Sequence, residues 1–174
     1  MTTELYAACV PSTFSPALYG LEILSVQTAI VRNYSVEVPG EYRYSQPSVS
    51  VKNATFCNVT VTYTHPGEED SVNVETWLPI DNWNERFQAV GGGGWVAGRW
   101  FVSYPAMAGA INDGYATSST DAGFGINGDP HDWALLSAGN VDLYKLENFG
   151  SRSLGEQVND TCISSTFIPD AYIY

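Results

Sequence analysis

Gly91, Gly92, Gly93 and Gly94 follow one another between Val90 and Trp95. Glycine has no Cβ, so such a run can take positive φ and let another molecule approach its peptide N–H groups closely. It carries a conformational cost of roughly 0.5–1 kcal/mol per glycine relative to alanine in a regular element. A dinucleotide-binding G-x-G-x-x-G is excluded, because Val96 stands where the third glycine of a frame starting at Gly91 belongs. A phosphate loop is excluded as well, since no Gly-Lys-Ser/Thr follows. Two readings remain: a flexible surface loop, or a loop whose amide N–H groups face a developing oxyanion, as in acyl transfer.

An oxyanion loop needs a nucleophile, a base and an acid beside it. A serine on a sharp strand-to-helix turn is spelled G-x-S-x-G, and that spelling is absent here. The nearest match, Ser151-Arg152-Ser153-Leu154-Gly155, has serine for the first glycine and continues a helical pattern. His65 precedes Pro66 in a turn-like segment and is expected on the surface. Asp129, His131 and Asp132 lie close together in a loop, where polar residues serve solubility, and no metal site is expected. Thr120 and Asp121 end a short strand-like segment; Asp121 is expected to support the neighbouring loop by accepting its N–H groups.

The elements that would position these residues read as strands first, then a loop-rich middle and one helix. Residues 14–32 hold apolar residues without a clean period, and one or two short strands are expected there. Residues 37–48, with Pro39, Gly40 and Pro47, form a loop. Residues 56–64 alternate cleanly: Cys57, Val59, Val61 and Tyr63 share one face, while Asn58, Thr60, Thr62 and Thr64 share a wet one. Residues 65–70 turn, and Val72, Val74, Thr76 and Leu78 continue as the second arm of a hairpin. Residues 86–90 are a third strand leading into the glycines, and residues 114–118 a fourth. Residues 95–113 are rich in aromatic and small residues, read as core packing with a pocket for an aromatic acid as the alternative. A helix is expected over about 140–155, with Asn140 as its N-cap.

The chain has 174 residues, the size of one domain, and 44% hydrophobic with 13% aromatic residues excludes disorder. Seven Lys+Arg against 19 Asp+Glu give a net charge of −12, which repels phosphate backbones and anionic membrane surfaces. No nucleic-acid or membrane partner is expected. The N-terminus shows neither a basic start nor an apolar h-region. Asn33, Asn53, Asn58 and Asn159 nonetheless begin N-x-S/T sequons, which suits a secreted parent protein whose leader is not in view. Cys9, Cys57 and Cys162 leave at least one thiol unpaired.

Several ordered blocks resemble the fungal tannase/feruloyl esterase family. They are Trp83-Asn84-Glu85-Arg86-Phe87-Gln88-Ala89-Val90 with the glycines and Trp95, and Gly114-Tyr115-Ala116-Thr117-Ser118-Ser119-Thr120-Asp121-Ala122-Gly123. The segments around Cys9, residues 53–61 and residues 140–144 fit too. The resemblance covers about residues 9–157. It implies the N-terminal part of an α/β-hydrolase-type fold, mostly strands and loops plus the one helix, with an incomplete sheet. It implies a disulfide between Cys9 and Cys57, and oxyanion-hole donors among Gly91, Gly92, Gly93 and Gly94. The implied activity is hydrolysis of phenolic acid esters, galloyl or feruloyl/cinnamoyl, through a Ser-Asp-His triad without a cofactor. An extracellular parent carrying N-linked glycans at Asn33, Asn53 and Asn58 goes with it. In that family the serine follows a cysteine, and Cys162-Ile163-Ser164 does not reproduce the pair. Residues 158–174 are therefore expected to be a tail foreign to the family. The polypeptide is expected to be a truncated member without triad or activity. The alternative is a non-catalytic, β-rich glycan-binding module.

Overall fold

The computed structural model describes residues 2–43, 46–126 and 128–165. A short helix α1 (Thr2–Ala8) leads to two long strands, β1 (Glu22–Val38) and β2 (Val49–Thr64), paired antiparallel with Val26 opposite Val61 and Val38 opposite Val49. β3 (Val72–Pro79) completes the expected hairpin with β2. Next come β4 (Phe87–Ala89), α2 (Ser103–Asn112) and β5 (Ala116–Thr120). The sheet order is β1-β2-β3-β5-β4; β5 runs antiparallel to β3 and parallel to β4. The chain then forms α3 (Pro130–Trp133), a small hairpin of β6 (Leu135–Ser137) and β7 (Asn140–Val141), and α4 (Leu143–Glu147). A π-helical segment, Asn148–Arg152, joins α4 to α5 (Ser153–Ser165).

Side-chain alternation divides the core between the two faces of the sheet. Cys57, Val59, Val61, Tyr63, Val72, Val74, Leu78 and Ala116 fill one face, against Cys9 and Phe14 of the N-terminal arm. Phe56, Trp77, Val51 and Val38 fill the other, against Ala106, Met107, Ala108 and Ile111 of α2. The Cys9–Cys57 disulfide, with Cα atoms 5.8 Å apart, ties the arm to the sheet. In the chain-entropy account such a closed loop stabilises by about 2–4 kcal/mol.

Three expectations need correction. From Ile23 onward the apolar residues of 14–32 belong to one 17-residue strand, and its register shift between Ile23 and Ser25 breaks the alternation. Within 95–113 lies a helix, α2. Six of its seven buried residues are consecutive, Ala106 through Ile111, so helical periodicity is hidden. The C-terminal helical region starts at Leu143, where the Asp142 side chain accepts the Lys145 N–H at 3.1 Å. Asn140, read as the cap, pairs with Ser137 in the small hairpin.

Candidate functional site

β5 organises the site end of the sheet. Its sequence, Ala-Thr-Ser-Ser-Thr, is fully buried although four of its five residues carry hydroxyls. Each hydroxyl is matched. Thr117 Oγ1 donates to the Gln88 carbonyl (2.9 Å), and Ser118 accepts from Gln157 Nε2 of α5 (2.9 Å). Ser119 Oγ accepts the Arg99 N–H (2.9 Å), and Thr120 Oγ1 accepts the Ala122 N–H (3.1 Å). A strand of small hydroxylated residues lets three other segments, and the turn that follows it, bond to the sheet's interior, which a wholly apolar strand could not do.

The glycine run leaves the carboxyl end of β4, next to the carboxyl end of β5. Val90 N–H donates to the Ser118 carbonyl (2.8 Å), and the Gly91 carbonyl accepts from Ser103 Oγ (3.0 Å) at the start of α2. Gly93 and Val96 then bridge, with the Val96 N–H on the Gly93 carbonyl at 3.2 Å and Gly94 and Trp95 at the tip. Gly94 has φ +61, in the left-handed region. A Cβ on Gly92 would collide with the Val96 carbonyl. The segment is therefore a fixed, folded-back loop.

Its far end is locked by Arg99, a non-glycine residue at φ +49. The guanidinium lies between two buried carboxylates: Nε is 3.3 Å from Glu75 Oε2 of β3, and Nη1 is 3.4 Å from Asp121 Oδ2. Glu75 also accepts from Asn58 Nδ2 (3.0 Å), Trp77 Nε1 (2.9 Å) and the Tyr104 hydroxyl (3.1 Å). Burial, and then the charge of Glu75, push the Tyr104 phenol above its ordinary pKa, so it stays a donor. Asp121 Oδ1 accepts the backbone N–H of Asn73 and of Gly123, both at 2.9 Å, while Oδ2 takes Asn73 Nδ2 at 2.8 Å. Thr120 and Asp121 thus stand beside the glycine loop and hold the turn that follows β5.

Trp95, at the tip of the loop, is 50% exposed and is backed by Trp133 and Phe149, whose ring centroids lie at 6.2 and 5.6 Å. An aromatic surface thus lies at the tip of the loop.

His65 is corrected from surface to interior. It is 6% exposed, with Nδ1 at 2.6 Å from Asp70 and Nε2 at 2.9 Å from Glu156. The alternation of 57–63 carries His65 onto the buried face and was the signal available; its partner Glu156 comes from a helix 91 residues away. His131 remains in solvent, on Asp129, which caps α3. Among the described residues no group of three or more His, Cys, Asp or Glu could hold a metal ion. Asn33 and Asn53 are exposed. The face carrying Asn58 is half-buried, and Asn58 itself is tied down: its amide nitrogen is on Glu75 and its Oδ1 is buried without a partner.

The family model described as tannase and feruloyl esterase matches residues 57–168, so the match continues past the boundary expected after residue 157. A probable feruloyl esterase of Arthroderma benhamiae is 40% identical over 161 residues, covering 90% of this chain and 27% of the relative. A tannase of Aspergillus oryzae is 30% identical over 117 residues, covering 66% and 19%. Among solved structures, the tannin acyl hydrolase from Aspergillus niger superposes with a TM-score of 0.71 at 29% identity, over 99% of this chain and 30% of that one. The chain therefore spans less than a third of the length of these relatives, and its mixed sheet with flanking helices is the corresponding part of an α/β-hydrolase-type fold. On the family match and this superposition, the chain belongs to the tannase and feruloyl esterase family.

Proposed function

We propose that this chain supplies the oxyanion-binding part of an extracellular carboxylic ester hydrolase acting on phenolic acid esters, galloyl or feruloyl/cinnamoyl. The observation that carries the reading is the fixed glycine loop at the carboxyl end of the parallel pair β4 and β5, where open α/β sheets bind ligands. In acyl transfer to water the ester carbonyl oxygen becomes an oxyanion, and each preorganised N–H donor contributes about 2.7–4 kcal/mol to the transition state. The donors are among Gly91, Gly92, Gly93 and Gly94. Trp95 offers the neighbouring surface for the aromatic acyl group. No cofactor enters such a reaction.

In this reading neither histidine serves as the general base. Both ring nitrogens of His65 face carboxylates, and His131 is 80% exposed on Asp129. These 174 residues therefore polarise an ester carbonyl without turning it over. The test is an assay of the purified chain with methyl ferulate and propyl gallate, together with the transcript read beyond the codon for Gln157. No acid release above buffer is expected, with an in-frame Cys-Ser elbow in the transcript. Measurable turnover by the chain itself would overturn this division of labour. Half-exposed Trp95 and 58%-exposed Phe101 favour a second reading, a glycan-binding module. Quenching of tryptophan fluorescence by xylo-oligosaccharides, but not by methyl ferulate, would select it.

A further inference from the structure

His65 ends β2 at the hairpin tip, and each of its ring nitrogens meets a different carboxylate. Nδ1 is 2.6 Å from Asp70 Oδ2, in the turn before β3; Nε2 is 2.9 Å from Glu156 Oε1, on α5. A neutral imidazole has one N–H and one lone pair, so it can donate to only one of two carboxylates. With both in contact, the geometry calls for the imidazolium. The other groups around the ring do not replace it. Tyr63 of β2 and Tyr144 of α4 meet the imidazole edge-on, and the Tyr63 hydroxyl donates to Glu156 Oε2 at 2.7 Å. Asn148 of the π-helical segment donates to Asp70 Oδ2 at 3.0 Å. Arg152 lies over the Tyr144 ring and pairs with Glu147, and Glu68 of the turn acts on the Tyr144 hydroxyl. Among the described residues no lysine or arginine pairs with Asp70 or Glu156.

We propose that His65 is a proton-operated latch that ties α5 to the β2–β3 hairpin when charged and releases Glu156 when neutral. The two contacts are not equivalent. Asp70 sits five residues away and is held by the His65 N–H (2.8 Å), the Thr64 hydroxyl (3.0 Å) and Asn148. A neutral ring therefore keeps its proton on Nδ1 and turns the Nε2 lone pair toward Glu156. The next residue of α5, Gln157, donates to the carbonyl and hydroxyl of Ser118 in the middle of β5. Opening at Glu156 thus loosens the helix that seats on the strand leading to Thr120 and Asp121.

Burial pulls the His65 pKa down, but hydrogen bonds and charge from Glu156 and Asp70 outweigh it and hold it above the ordinary value. Burial raises Asp70, yet its bonds from His65 and Thr64 hold it below. A raised folded pKa gives stability that is complete below the unfolded value of about 6.5 and is lost as pH rises through the folded value. A depressed one gives stability present above about 3.9 and lost as pH falls through the folded value. The latch is closed in a mildly acidic medium.

His65 and His131 are the two histidines of the chain, so H131A leaves a single imidazole signal for NMR titration of the 174-residue protein. The His65 midpoint is expected above about 6.5. Amide exchange of α5, corrected for the intrinsic chemical rate, should rise through that midpoint while β2 and β3 stay protected. The rise is about tenfold for each unit by which the midpoint exceeds that of the Glu156-released form, for which E156Q stands in. E156Q keeps a partner for Tyr63 and should lower the midpoint and remove the step in α5. A midpoint below about 6.5, or α5 exchange that is flat through it, would overturn the latch.

Discussion

At the scale of single residues, the glycines do different jobs although they look alike in sequence. Gly98 packs against Thr120: a Cβ there would lie 2.5 Å from the Thr120 carbonyl and would also strike Ser119 Oγ. Gly93 has open space around its missing Cβ and no positive φ. G98A should therefore destabilise by about 1–3 kcal/mol through overpacking, whereas G93A should stay within about 0.5 kcal/mol of the parent. Urea denaturation of both variants checks this, and equal losses would mean that the loop is held by something other than backbone approach. The glycine run was legible in the sequence because four consecutive glycines stand out, although the sequence left a flexible surface loop as the other reading. Arg99 was not. Its partners Glu75 and Asp121 lie 24 and 22 residues away, and an isolated arginine after a glycine carries no local pattern.

At the scale of elements, hydrophobic alternation revealed β2, β3 and their hairpin, because each strand buries one clean set of side chains. It did not reveal how α5 docks. Leu154 and Val158 of that helix are exposed, while Ser153 and Gln157 are buried and Glu156 reaches His65. A helix seated by polar side chains reads backwards to any amphipathic template, because the strand it meets is itself polar. Ser118 supplies the carbonyl and hydroxyl that Gln157 bonds, both at 2.9 Å. Q157A should cost about 1–3 kcal/mol by taking the donor from the buried Ser118 hydroxyl, while the Ser118 carbonyl keeps the Val90 N–H. Q157L, of similar size but unable to donate, should do no better. If Q157L restores stability, side-chain volume and not hydrogen bonding seats α5, and the Ser118 contact is incidental.

At the scale of the whole molecule, the sheet ends in two unequal edges. β4 contributes three residues to one; β1 presents 17 residues at the other. A long free edge is a template for pairing with another chain unless something interrupts it. Here the interruption is the bulge at Asn33, which has φ +54 and an exposed side chain. Across from it on β2, Asn53 repeats both features with φ +52, and its N–H bonds Ser35 Oγ at 3.0 Å. Both asparagines begin sequons, so glycans there would stand at the weakest point of the edge and keep neighbouring chains apart. Asn58 differs, because its amide nitrogen is committed to buried Glu75 and a glycan on it would open that network. Secretory expression behind an added leader should give protein with glycans on Asn33 and Asn53 and none on Asn58, read by intact mass and peptide mapping. N33Q should then raise light scattering on concentration more than N53Q, because Asn33 lies on the edge strand itself. Folded protein occupied at Asn58 would contradict the Glu75 network, and equal scattering of the two variants would remove the edge from the explanation.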